Sequence, residues 1–198
     1  NIKYFPNKHK PIYIIVNKKI KKNNNIRFSG SDYKKGETVI TKGQIIQPNH
    51  ILAFKTLGIE RVLVKKKPKI AFYSTGNEIT NDVKIPNWKV RNSNNHYLKS
   101  FLKNFPIEFK EKKILRDNDS KKFKKEIKNN LASDIDMVVT SGAISAGKFD
   151  FVPKIIKHFR LKQYFKGVTI RPGKPIMFAK FKKQMVFFGL PGNPISSA

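Results

Sequence analysis

The residues of this 198-residue chain that could do chemistry are concentrated in loops of small and polar residues. The first is Ser74-Thr75-Gly76-Asn77-Glu78. The second is Thr140-Ser141-Gly142-Ala143-Ile144-Ser145-Ala146-Gly147, with Asp150 after it. The third is Arg171-Pro172-Gly173-Lys174-Pro175, and Gly189-Leu190-Pro191-Gly192-Asn193-Pro194 follows it. Such loops suit anion capture. Glycine lets the backbone approach a ligand at positive φ, and hydroxyls and free N–H groups beside a helix start meet phosphate oxygens. None of the loops matches the phosphate loop ending in Gly-Lys-Ser/Thr, or the dinucleotide fingerprint. Each alone is equally a plain turn; the specificity lies in the set and its order.

Acidic residues stand beside these loops although they are scarce. Glu78, Asp117 and Asp150 each follow a strand end. Carboxylates converging on a phosphate site suit a magnesium ion or an anchored polar ligand. Asp117 and Asp150 equally suit the caps of the helices that follow. Lys166 and Lys174 can neutralise an oxyanion, or can be solvated surface lysines. Arg171 is more distinctive, because arginine is rare here and it lies directly before Pro-Gly. The histidines (9, 50, 96 and 158) have no metal-ligand spacing, which argues against a histidine metal site.

The elements that must position these loops follow from hydrophobic periodicity. Residues 12–16 read as a strand, Lys34 to Glu37 as a turn before a β-prone Thr38-Val39-Ile40, and residues 61–64 as another strand. Between them Pro48 opens a short helix with Ile51, Leu52 and Leu57 as its apolar face, closed by Gly58. From Lys69 strands and helices alternate. Ile70 to Tyr73 is a buried strand. Residues 95–104 are a helix carrying Tyr97, Phe101 and Phe105 on one face, with Leu98 and Leu102 beside them. Residues 107–115 are a strand. A helix capped by Asp119 or Ser120 repeats Phe123, Ile127 and Leu131 at i, i+4, i+8. Met137 to Thr140 is a continuous apolar strand, Phe151 to Phe159 a helix, and residues 176–179 and 185–188 a hairpin. Alternation of this kind predicts an α/β layer with a mainly parallel sheet. Ligands of such sheets bind at the carboxyl ends of the strands.

Composition narrows the class. At 39% hydrophobic and 12% aromatic residues the chain can bury a core. It has no cysteine, which excludes disulfides, thiolate metal sites and a cysteine nucleophile. No apolar run approaches the ~20 residues that span a bilayer, and the first residues carry no signal-peptide core. No membrane association and a cytoplasmic location are expected. The formal net charge is +29, but only six of the 42 basic residues are arginine, the preferred residue for bidentate phosphate contacts. Lysine rises together with Asn, Ile and Phe, whose codons are all AT-rich, and the lysines are scattered. The expectation is no specific nucleic-acid binding, with weak non-specific binding at low salt.

In this order the loops resemble the molybdopterin molybdenumtransferase family, bacterial enzymes related to the gephyrin E domain. Asn92-Ser93-Asn94 and Arg116-Asp117 take part in the resemblance, as do Asn25-Ile26-Arg27, Gly30, Asp32, Lys35-Gly36-Glu37 and Leu57-Gly58-Ile59, so it covers nearly the whole chain. It implies a three-layer α/β sandwich that binds molybdopterin, preceded by a small mixed β-rich segment. It further implies transfer of molybdate onto adenylylated molybdopterin with release of AMP, using Mg2+, and a homodimer that follows an adenylyltransferase in sequence of action. By motif position Glu78, Asp117 and Asp150 match active-site acids, the first and last as metal ligands. Lys166 and Arg171 match basic positions. Ser74, Thr75, Gly76, Ser141, Gly142, Ser145, Gly147, Pro172, Gly173, Lys174, Pro191, Gly192, Asn193 and Pro194 match the pterin-binding loops. The chain departs from the pattern at Asn77, Asn92 and Lys148, where acids are usual, and at Ala143, where a glycine is usual.

The division expected is residues 1–66 as part of an amino-terminal β-rich and linker region, and residues 67–198 as the molybdopterin-binding domain. The resemblance also implies further chain at both ends, including a carboxyl-terminal β-barrel. Two other readings stay open: the preceding adenylyl transfer, and a non-catalytic pterin-binding or scaffold remnant.

Overall fold

A computed structural model describes residues 2–16, 18–142, 151–182 and 185–198. The chain divides into two compact units, Asn1–Val64 and Lys65–Ala198.

In the first unit β1 (Ile2–Phe5) pairs antiparallel with β2 (Tyr13–Val16), with Phe5 stacked on Tyr13. The helix α1 (Pro48–Thr56) begins where Pro48 fixes φ and a capping box forms, His50 Nδ1 accepting the Gln47 N–H at 2.9 Å. Gly58 closes it at φ +72°, as expected. Its buried residues are Ala53 and Phe54, whereas Ile51, Leu52 and Leu57 are exposed. The apolar face expected from spacing is therefore displaced by half a turn. Residues 38–40 and 61–64 form no strand. Val62, Leu63 and Val64 are exposed, so the β propensity of the two valines finds no partner edge to pair with.

The second unit is built on one six-stranded sheet. Its strands are β3 (Lys69–Ser74), β6 (Glu108–Glu111), β7 (Met137–Ser141), β8 (Lys162–Lys166), β9 (Met177–Lys180) and β10 (Val186–Leu190). The order is β6-β3-β7-β10-β9-β8. β6, β3, β7 and β10 run parallel, and β9 and β8 add an antiparallel meander. Outside the sheet, β4 (Ile79–Thr80) and β5 (Val90–Arg91) form a short parallel ribbon.

The strand β7 reads as a continuous apolar run because it is interior, flanked by β3 and β10 and covered on both faces. On one face α3 (Ser120–Ala132) and α4 (Val152–Phe159) bury Phe123, Ile127, Val152 and Ile155 against Ala71, Tyr73, Val138 and Phe187. Each of the wholly buried Val, Ile and Phe side chains contributes on the order of 2 kcal/mol over an exposed one. On the other face α2 (Ser93–Leu102) sets Leu98 and Leu102 over Ile70, Phe72 and Val139. The unit is a three-layer α/β sandwich with a mainly parallel sheet.

Local corrections have physical reasons. The strand expected over 107–115 stops at Glu111, and only Leu115 rejoins the sheet, as a bridge to Thr75. Helix α2 starts at Ser93 instead of residue 95. Tyr97, Phe101 and Phe105 do share a face and stack, but that face is outward, because Leu98 and Leu102 take the sheet. The edge strand β8 was not anticipated. It lies open along its length and is guarded by Lys162, Lys166 and a register break between Gln163 and Phe165.

Candidate functional site

The parallel strands aim their carboxyl ends at one edge, and the loops singled out in the sequence leave from it. β3 delivers Ser74 to Glu78, β7 delivers Ser141 and Gly142, and β10 delivers Pro191 to Asn193. β8 ends and β9 begins at the same edge, so the Arg171–Pro175 loop between them lies there too. Ser145, Gly147 and Asp150, with Ala143 and Lys148, fall outside the described residues.

Glycine is required at positions 142 and 173, where loops touch. Gly142 has φ +89°, and a Cβ there would lie 2.6 Å from Thr75 Oγ1 and 2.9 Å from the Thr75 carbonyl oxygen. A Cβ on Gly192 would stand 3.6 Å from Gly142 Cα, so the loops after β7 and β10 are in contact. Gly173, at φ +108°, leaves 3.2 Å between such a Cβ and the Ser196 carbonyl oxygen. That brings the Arg171–Pro175 loop against α5 (Pro194–Ser197). Asn193 caps this last helix, its Oδ1 accepting the N–H groups of Ile195 at 2.9 Å and Ser196 at 3.3 Å.

Many groups expected to face a ligand instead tie the loops together. The Ser74 hydroxyl donates to Asn92 Oδ1 at 2.6 Å, and the Thr75 hydroxyl to the Ser141 carbonyl at 2.8 Å. The N–H groups of Gly76 and Gly142 donate to the carbonyls of Leu115 and Leu190. The charged groups of these loops stay exposed or half-buried: the Glu78 and Asp117 carboxylates and the cations of Lys166, Arg171 and Lys174. Glu78 folds back over Gly76, its carboxylate oxygens 2.6 Å from where a Cβ of that glycine would stand. Asp117 is not a helix cap, since Asp119 occupies the start of α3. Asp119 Oδ2 accepts the Arg116 N–H at 2.9 Å, and this hydrogen bond holds its carboxyl below the usual range.

Sequence reasoning quoted Arg116, Asn92 and Asn94 as motif members without a role. Arg116 Nη1 lies 3.1, 3.0 and 2.8 Å from the carbonyl oxygens of Gly76, Asn77 and Ile79, so one guanidinium straps the whole first loop. The rarity of arginine was the available signal. Asn77, where an acid is usual, accepts the Asp117 N–H at 3.3 Å. Asn92 Nδ2 reaches Asn81 Oδ1 at 3.1 Å, and Asn94 Nδ2 reaches the Gly192 carbonyl at 3.0 Å. Among the described residues no three His, Cys, Asp or Glu side chains gather as a metal-holding group. Magnesium asks for less, since one or two carboxylates suffice when substrate phosphates complete its shell. Glu78, exposed at the carboxyl edge of the sheet, fits that donor set.

The comparisons point one way. Residues 71–198 match a family described as a probable molybdopterin binding domain. A molybdopterin molybdenumtransferase of Staphylococcus aureus is 34% identical over 184 residues, covering 90% of this chain and 42% of the relative. The solved molybdopterin biosynthesis MoeA protein of Pyrococcus horikoshii superposes with a TM-score of 0.70 at 28% identity, covering 84% of this chain and 40% of that one. The molybdopterin biosynthesis enzyme MoaB of Thermus thermophilus, at 13% identity and a TM-score of 0.51 over 65% of this chain and 84% of that one, shares the fold. The chain thus spans about two-fifths of the length of the transferase relatives it matches.

Proposed function

The chain belongs to the probable molybdopterin binding domain family, and on that premise we propose that residues 67–198 bind molybdopterin at the carboxyl edge of the sheet. The observation that carries the proposal is the convergence of four loops there, held by contacts that need glycine at 142 and leaving carboxylates and cations exposed. The complete protein then transfers molybdate onto adenylylated molybdopterin with release of AMP.

The chemistry of the edge suits two oxyanions. Molybdate and phosphate are both tetrahedral, and both are held by cations and directed N–H groups. Arg171 and Lys174 flank Gly173, and Lys166 stands at the end of β8, so positive charge lies at the β8–β9 side of this edge. Glu78 and Asp117 supply negative charge from the other, joined in this reading by Asp150. Glu78 and Asp150 would hold Mg2+. When bound, that ion would polarise the phosphoanhydride as a Lewis acid. Arg116 keeps the Glu78 loop rigid, and the glycine contacts fix the spacing between loops. A cytoplasmic homodimer, acting after an adenylyltransferase, is the setting we propose. No helix of the described residues is long and apolar enough to cross a membrane.

The test is calorimetric titration of the chain with molybdopterin at two salt concentrations. Saturable binding that survives the higher salt and weakens about tenfold in Arg171→Ala is the expected result. Affinity that collapses with salt in proportion to counterion release would instead assign the binding to bulk charge.

A further inference from the structure

The helix α2 has an unusual amino-terminal end. Its first turn contains no acidic residue, and its cap residue Asn92 makes no side-chain hydrogen bond to the turn. The cap amide is engaged elsewhere: Oδ1 accepts from the Ser74 hydroxyl and Nδ2 donates to Asn81. Among the described residues no acceptor meets the N–H groups of Ser93, Asn94 or Asn95. Among the described residues nothing compensates these donors or the positive end of the helix dipole behind them. Helix α5 differs, because Asn193 already accepts its first N–H groups.

A second observation is independent of the helix end. Asn95, the third residue of α2, is wholly buried, yet among the described residues neither its Nδ2 nor its Oδ1 has a partner. Buried amides are normally paired, and an orphan in a native fold calls for a missing group. Asn95 shares the inward face of α2 with Leu98, one turn on. Helical side chains lean toward the helix amino terminus, so its amide is carried toward the free N–H groups. The turn also sits within the loop cluster, through Asn92 to Ser74 and Asn94 to the Gly192 carbonyl.

We propose that the amino-terminal turn of α2 is an oxyanion subsite, in which the free N–H groups of residues 93–95 and the buried Asn95 amide take a phosphate group of the bound ligand. It rests on the molybdopterin reading for the identity of the molecule that carries the phosphate. The subsite itself can be probed without that molecule.

The experiment is titration of the full 198-residue chain with inorganic phosphate, and separately with AMP, followed by backbone amide NMR shifts. Saturable shifts centred on Ser93, Asn94 and Asn95 are expected. Asn92→Asp changes one atom but sets a carboxylate against the helix end, and is expected to weaken phosphate about tenfold. Asn95→Leu is expected to raise the thermal midpoint of the free protein, by removing an orphan amide, while weakening phosphate. Shifts with AMP and none with phosphate would assign the subsite to a nucleotide-borne group; shifts with both would assign it to the oxyanion alone. Unchanged Ser93–Asn95 amides in the folded wild type, or equal affinity in Asn92→Asp, would overturn the proposal. An Asn95→Leu chain that does not fold would overturn the reading of its amide as unpaired, and Asn92→Asp would then decide the subsite. Wild-type molybdopterin binding untouched by both substitutions sinks this subsite alone. Phosphate shifts without molybdopterin binding sink the parent reading and leave the subsite standing.

Discussion

At the scale of single residues, the site depends on where a side chain is forbidden. Gly142 and Gly167 have similar φ, +89° and +91°, but a Cβ at 142 meets Thr75 backbone at 2.9 Å, whereas at 167 the nearest atom is 3.6 Å away. Gly167→Ala is expected to cost about 1 kcal/mol from the left-handed backbone alone. Gly142→Ala is expected to cost about 2 kcal/mol more, because β3 and β7 must part. Urea denaturation of the two variants measures the difference, and equal costs would refute the close contact. Tyr73 makes the opposite case, of a side chain that must be present. Its phenol donates to Glu126 Oε2 at 3.2 Å and accepts from Asn130 Nδ2 at 2.8 Å inside the core. Tyr73→Phe leaves the Asn130 amide unpaired, and a loss of about 1–2 kcal/mol is expected. Burial raises the Tyr73 pKa above the ordinary value. The unfolded phenol ionises near pH ~10. The folded one does not, so stability from this source is complete below that pH and declines above it. The alkaline decline should be shallower in Tyr73→Phe, and an unchanged slope would count against the buried phenol.

At the scale of elements, the second unit was more legible than the first. Continuous apolar runs such as Met137 to Thr140 predicted β7, and i, i+4 spacing predicted α3, because packing against a shared sheet enforces both patterns. Residues 38–40 and 61–64 carry the same propensity but gain no ladder partner, and propensity without pairing does not make a strand. The Tyr97 stripe was legible as a face but its outward direction was not, since periodicity gives a face but not its direction. The candidate loops were legible as motifs. Their mutual contacts, and the Arg116 strap, depend on residues far apart in the chain, Arg116 and Gly76 being 40 positions apart, and leave no local signal. The opposite edge of the sheet carries an ion-pair cluster in which Asp134 pairs with Lys66 and Lys69, and Glu108 with Lys69 and Lys110. The hydrogen bond from Lys69 holds the Asp134 carboxyl at about 2. A folded pKa below the unfolded value of ~3.9 contributes stability above that pH and loses it as pH falls toward 2. The stability difference between wild type and Asp134→Asn should therefore be constant near neutrality and vanish over the pH 4 to 2 interval, followed by circular dichroism.

At the scale of the whole molecule, charge is the dominant condition. A net +29 repels itself at low ionic strength. Raising salt from about 0.01 to 0.1 M shortens the screening length from about 30 to 10 Å. Thermal stability should rise by about 1 kcal/mol or more over that range, measured by calorimetry; a fall would mean that attractive pairs outweigh the repulsion. The order of the strands has a consequence for synthesis. β7 lies between β3 and β10, and β10 also joins the parallel set to the β9–β8 meander. A ribosome delivers residue 141 well before residue 186, so for a few seconds at ~5–20 residues per second one side of β7 is an unpaired apolar border. The nascent chain is exposed to strand pairing with its neighbours on a polysome during that interval, and chaperone occupancy should peak there and drop once Leu190 has cleared the exit tunnel.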